Sequence, residues 1–244
     1  MNDPYGLDAH LADHGICFLP WVGSRYQQGF KGQRLLILGE SHYPWEDADR
    51  ELSDPLPPEV TRDCVHGVVA REPWVGGFWK YLEQAHLNVE RWEMSPSGDR
   101  FWNSIAFYNF VQVPVGTGPR QAPEWRDFVA ARPAFLAVIQ ALKPERIIVC
   151  GKRLWRGMED TPADLFLHDD LQGYYLPGGD VVWCLATAHP SSGRYSWRRL
   201  HPLIDAFIAD PRRAQAALTG PVTSRSSPIL IVDSSASASS IRPL

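Results

Sequence analysis

Leu35-Leu36-Ile37-Leu38 is a run of four large apolar residues that stops at Gly39 and gives way to Glu40-Ser41-His42-Tyr43. An unbroken apolar run suits a strand buried on both faces. In open α/β sheets ligands bind beyond the carboxyl ends of such strands, so the polar quartet is a candidate site on a rigid support. Pro44 stiffens its exit. Similar transitions recur along the chain. Ile105 to Pro114 is β-branched and aromatic, with Asn109 interrupting it. Arg146 to Cys150 closes in Gly151-Lys152, and Val181 to Ala186 runs into Thr187-Ala188-His189. Each reads as a strand.

Helical spacing fills the intervals. Leu7 to His14 suits a short helix inside an otherwise irregular lead-in, residues 1–34. Thr61 to Ala70 suits another. Phe78, Leu82 and Ala85 share one face of a helix that follows Pro73-Trp74 and runs to His86. Trp125, Phe128, Val129, Phe135, Leu136, Ile139 and Leu142 mark the clearest helix, which Pro133 is expected to bend or interrupt. Leu154 to Met158 begins a helix, and Trp197 to Ile208 forms the terminal one. Strands alternating with helices predict an α/β fold: three α/β/α layers around a central, mainly parallel four-stranded sheet. If the strands are parallel neighbours, Glu40 to Tyr43, Asn109 and His189 converge on one rim.

Two stretches stand apart. Residues 44–70 open with an acidic, proline-rich segment (Glu46, Asp47, Asp49, Glu51, Asp54, Pro55, Pro57, Pro58), which predicts a long loop or lid inserted into a domain spanning 35–218. Residues 219–244 are dominated by Ser and Ala, which predicts a disordered tail with one apolar patch, Ile229 to Val232.

Composition narrows the functional classes. With 244 residues, 44% hydrophobic and 21% charged, the chain reads as one globular domain plus a tail. A net charge of -4 excludes a general polycation, so nucleic-acid binding needs a local basic face and is sensitive to salt. Ten tryptophans suit both a core and surfaces that stack on flat ligands. No apolar run is long enough to span a bilayer, and Met1-Asn2-Asp3-Pro4 lacks the features of a signal peptide. The expectation is a cytoplasmic monomer with no membrane partner. Cys17, Cys64, Cys150 and Cys184 are scattered and form no C-x-x-C pair. Free thiols are expected, with no metal site, no iron–sulfur cluster and no other cofactor.

Four segments, in order, resemble motifs of the uracil-DNA glycosylase superfamily. Gly39-Glu40-Ser41-His42-Tyr43 is similar to its first motif, a strand ending in Gly before the water-activating residue. Pro73-Trp74-Val75-Gly76 is similar to the Pro-Phe-Val-Gly segment of the iron–sulfur members. Phe107-Tyr108-Asn109 is similar to the strand carrying the base-reading Asn, and His189-Pro190-Ser191 to the motif opening the DNA-inserting loop. The resemblance covers residues 33 to 208. It implies hydrolysis of the bond between a flipped base and its sugar in duplex or single-stranded DNA. That chemistry needs a carboxylate to orient water, a donor for the leaving base, an amide to read its edge and an aromatic slab.

Carried over residue by residue, the resemblance makes Glu40 and His189 catalytic. Ser41 stands where the main uracil-excising branch has its catalytic Asp, and His42 replaces a common Pro. His42, Tyr43, Trp74 and Asn109 would bind the base, with Phe78 and Trp79 as alternatives to Trp74. Ser191, Arg194, Tyr195, Arg198, Arg199 and Lys152 would contact DNA, with Arg153 and Arg156 extending the basic patch. Ser41 and His42 fit no branch, so the substrate need not be uracil. Two other classes follow from the same residues. One is a catalytically silent module that binds a nucleobase, nucleotide or DNA. The other is an enzyme of free nucleosides or nucleotides, closed by the acidic segment.

Overall fold

The computed structural model describes residues 5–44, 55–94, 98–116 and 121–220. The acidic part of the inserted segment, half of the Gly116 to Pro123 loop and the Ser/Ala-rich tail beyond Gly220 lie outside them. The fold is α/β, with a mixed seven-stranded sheet and eight α-helices among the described residues.

The strands are β1 (Trp21–Val22), β2 (Leu35–Gly39), β3 (Ile105–Asn109), β4 (Arg146–Cys150), β5 (Phe166–His168), β6 (Leu171–Tyr175) and β7 (Val181–Thr187). Their order across the sheet is β1-β3-β2-β4-β7-β6-β5. The helices are α1 (Asp8–Asp13), α2 (Val60–Ala70), α3 (Gly77–Leu87), α4 (Asp99–Trp102), α5 (Trp125–Leu142), α6 (Lys152–Gly157), α7 (Trp197–Ala209) and α8 (Pro211–Thr219).

The sheet is larger than the four strands expected. β3, β2, β4 and β7 are parallel neighbours, but β1 adds antiparallel to β3, and β6 and β5 extend β7 antiparallel. β1 puts ordered structure into the lead-in, where an irregular segment was expected. β5 and β6 carry polar residues and lack a long apolar run. Their signal is the two-residue Asp169-Asp170 connection, which suits a hairpin.

Alternate residues of the central strands enter two cores. Leu36, Leu38, Ala106, Tyr108, Ile147 and Val149 pack with Phe128, Phe135, Val138 and Ile139 of α5. Leu35, Ile37, Ile105, Phe107, Ile148 and Cys150 pack with Leu82 and Ala85 of α3, Phe101 and Trp102 of α4, and Ile204 and Phe207 of α7. This is the period of two expected of strands with apolar cover on both faces.

Three further boundaries differ from expectation. The strand at Ile105 stops at Asn109 rather than Pro114, and the chain then follows the exit of β2. Helix α5 runs through Pro133 without a break. Pro133 is on the exposed side, so the Val129 carbonyl that it leaves without a donor can bond water instead. The terminal helix is followed by α8, capped by Asp210, whose side chain accepts from Arg212 N at 2.8 Å, with Pro211 in the first turn. Thr219, expected in the tail, is the last residue of that helix.

Candidate functional site

The carboxyl ends of the four parallel strands surround a cavity of about 880 Å3. Glu40, Ser41, His42 and Tyr43 enter it from the end of β2, and Asn109 from the end of β3. Arg153 enters from the first turn of α6, behind β4, and His189, Ser191 and Ser192 from beyond β7. Phe78, Trp79 and Phe107 form an apolar wall that continues the core on that side of the sheet. Convergence follows from register: Gly39 pairs with Asn109, and Cys150 with Thr187.

The backbone of the β2 exit is tied down by the segment after β3. Phe110, Val111 and Val115 N–H groups donate to the carbonyls of Gly39, Glu40 and His42 at 3.0, 2.9 and 2.9 Å. Gly39 has a steric reason to be glycine. A Cβ there would overlap Asn109 Oδ1 and come within 2.9 Å of the Phe107 ring. Gly151 has a conformational one, with φ of 120°, a region that L side chains rarely adopt.

His42 is buried, and its ring makes an edge contact with Phe18 at 5.1 Å between centroids. Asn109 Nδ2 donates to His42 Nε2 at 3.0 Å, and Thr61 Oγ1 lies 2.8 Å from the same nitrogen. Nδ2 has only hydrogens to offer, so Nε2 accepts and the ring is neutral, with its proton on Nδ1. Burial holds the ring at about 4, which agrees with a neutral imidazole. His42 therefore fixes the Asn109 amide. The second Nδ2 hydrogen and Oδ1 remain for a ligand.

His189 takes the opposite tautomer. The Ser191 N–H donates to His189 Nδ1 at 3.2 Å, so the neutral ring carries its proton on Nε2. Burial lowers its pKa. Glu40 opposes that shift and Arg153 adds to it, so the three groups share one field. The ring is 5.3 Å from that of Phe78.

Glu40 is held in a way the sequence did not disclose. Arg153 Nε donates to one carboxylate oxygen at 2.8 Å, and Nη2 donates to the other. That bond raises the pKa of Arg153. An unpaired carboxylate buried this deeply costs several kcal/mol, so the fold needs a cation here. Arg153 was expected only to extend a basic patch; the pairing spans 113 residues and needs the β2–β4 register to form.

Other expected site residues lie elsewhere. Trp74 is 50% exposed and does not line the cavity; its ring covers Gly67 of α2, with Nε1 bonded to Glu72. Phe78 and Trp79, one helical turn later, provide the aromatic wall. Lys152 pairs with Asp170 and Arg198 with Glu90, so neither is a free cation. Tyr195 is partly buried against Tyr81, with its hydroxyl donating to the Tyr81 carbonyl at 3.3 Å. Arg194 and Arg199 are exposed and do not line the cavity. Of the expected DNA contacts only Ser191 does.

Cys64 also lines the cavity, and burial pushes its thiol up to about 11. Cys150 and Cys184 are buried free thiols, whereas Cys17 is exposed. Among the described residues no three His, Cys, Asp or Glu side chains are grouped to hold a metal ion. No helix there is long and apolar enough to cross a membrane. No protein-family model matches the chain, and no curated protein matches it either.

Proposed function

We propose that the chain is a glycosylase-like hydrolase that cleaves the N-glycosidic bond of a flipped deaminated or modified base in DNA. The fold is read as the three-layer α/β/α arrangement of the uracil-DNA glycosylase superfamily, elaborated with antiparallel edge strands. The observation that carries this reading is the gathering of Glu40, Asn109 and His189 from three strand ends around one cavity with an aromatic wall. Its volume lies in the range of small-molecule sites.

In this reading the base stacks on Phe78. Asn109, oriented by His42, pairs with its edge. As the bond lengthens, negative charge grows on the base, and the Nε2–H of His189 is available to stabilise it. Glu40 orients the attacking water and stabilises the cationic sugar once an oxygen is freed from Arg153. No cofactor is required.

The bidentate hold of Arg153 on Glu40 favours a second reading, a catalytically silent module for a nucleobase, nucleotide or DNA. One experiment separates them. Duplex and single-stranded oligonucleotides bearing uracil, hypoxanthine or xanthine are incubated with the protein and treated with alkali. Strand breaks at the modified base, lost in Glu40→Gln and His189→Ala, support the hydrolase. Saturable binding with every strand intact supports the silent module. Neither binding nor breakage on any oligonucleotide rules out the hydrolase and a DNA-binding module.

A further inference from the structure

The Glu40–Arg153 pair is asymmetric. The Glu40 side chain is 8% exposed, whereas that of Arg153 is 52% exposed. Both residues line the cavity, the carboxylate buried and the guanidinium half-exposed. Among the described residues that line the cavity, Arg153 is also the one Lys or Arg. Its neighbour Lys152 is turned to Asp170. Among these lining residues Arg153 is therefore the cation available to an anion in the cavity, and it is already engaged.

A carboxylate with both oxygens bound to one guanidinium is a poor partner for water, because its charge is balanced and its approach is blocked. Water alone is a weak competitor for that guanidinium, since it offers no charge. A phosphate is a strong one: it matches the planar fork of Arg through two parallel bonds and carries at least the same charge as the carboxylate. The half-exposed guanidinium is free on its solvent side to turn to such a ligand.

We propose that Arg153 is a phosphate-operated latch, holding Glu40 idle in the free protein and releasing it when a phosphate of the bound ligand takes over the guanidinium. The inference rests on the nucleobase reading of the cavity and deepens it. The ligand class is a nucleoside carrying phosphate, and bare bases and nucleosides are disfavoured. The phosphate can belong to a DNA strand or to a free nucleotide.

Calorimetric titration tests this on the full chain. The probes are inorganic phosphate, 2′-deoxyuridine, its 3′,5′-bisphosphate and a short single strand with one central deoxyuridine. In each nucleoside a 2′-fluorine in the arabino configuration slows cleavage. The wild type binds the bisphosphate at least about tenfold more tightly than the nucleoside, and in Arg153→Gln the two affinities converge to within about twofold. Arg153→Lys retains part of the difference, because an ammonium keeps the charge but loses the fork. In Glu40→Gln the guanidinium has lost its charged competitor, and inorganic phosphate binds about tenfold more tightly than to the wild type.

A bisphosphate-to-nucleoside ratio that ignores Arg153, or a phosphate affinity that ignores Glu40, overturns the latch. The Glu40→Gln comparison stands even if Arg153→Gln fails to fold. If phosphate gains in Glu40→Gln while neither the bisphosphate nor the strand binds the wild type more tightly than inorganic phosphate does, the latch holds and the nucleobase reading falls. If every probe binds but neither variant changes the pattern, the latch falls and the nucleobase reading remains. Tighter binding of the strand than of the bisphosphate assigns the phosphate to a DNA backbone; equal binding assigns it to a free nucleotide.

Discussion

The two ends of the parallel sheet treat polar groups differently. At the amino ends of β2 and β4, Arg34 N donates to Glu145 Oε2 at 2.9 Å and Arg34 Nε to the Lys143 carbonyl at 2.7 Å. Arg146 Nε donates to the Phe207 carbonyl at 3.1 Å. Those charges are answered by the protein, and they join the strand starts to the helices around them. At the carboxyl ends, Ser41 Oγ and Ser192 Oγ are buried with no hydrogen-bond partner among the described residues, and both serines line the cavity. Buried polar groups left without partners are uncommon and call for an explanation. Tyr26 (near Arg34 and Glu145), His86 (packed against Phe30) and Tyr108 (on β3) each also have an unpartnered buried polar atom, but none of the three lines the cavity. Equal polarity at two ends of one sheet thus does two jobs: one end is closed by its own bonds, and the other is left able to bond something else.

Substitutions can break that contrast. On the proposed hydrolase reading the largest effect is expected at the carboxyl end, where Glu40→Gln or His189→Ala lowers single-turnover cleavage by roughly 10² to 10⁴-fold. Denaturant unfolding in parallel should show each variant still folded. A rate loss matched by unfolding would remove the functional meaning of that end.

Proton linkage comes next. His42 and His86 are both held at about 4 by burial, against an ordinary 6.5. Between those values the unfolded chain takes up protons that the folded chain refuses. Stability is therefore full above pH 6.5 and falls as pH drops toward 4, by about 1.4 kcal/mol per pH unit for each ring. Urea unfolding at several pH values measures the slope. His86→Leu, on α3 and outside the cavity lining, should remove about half of it; an unchanged slope contradicts the buried neutral ring.

Gly39→Ala sharpens the comparison from within the site. Its methyl group displaces the Asn109 amide or the Phe107 ring, at a cost of about 1–3 kcal/mol in stability. Ligand affinity falls with it, whereas alanine at the exposed Gly6 leaves affinity unchanged. Arg146→Met, at the amino end, is expected to cost about 1–3 kcal/mol by leaving its carbonyl partner unbonded, with cleavage of the folded fraction unchanged. Trp74→Ala gives the smallest effect, with less than about a twofold change in affinity, because the ring lies outside the cavity. A larger loss would restore Trp74 to the site.

Much of this was legible because it is local. Four apolar runs mark the parallel strands, and a polar break after three of them marks the rim. What escaped depends on context. β1 is two residues long, too short to show a period. The Trp74-for-Phe78 exchange turned on which aromatic of one segment faces the strand ends, a matter of helix orientation. Lys152, Arg153 and Arg156 read alike as a basic patch, yet Lys152 meets Asp170, Arg153 meets Glu40, and of the three only Arg153 lines the cavity at the strand ends.

The sequence by itself determined the α/β class, the strands that are buried on both faces and the polar residues that end them. These follow from apolar runs and periodicity within a few residues. Only the tertiary structure decided which polar residues become partners. The Glu40–Arg153 and His42–Thr61–Asn109 pairings depend on strand register and helix placement across long sequence separations. A carboxylate has no intrinsic role as water-orienting group or ion-pair partner; its role is set by what the fold brings within hydrogen-bond distance of it.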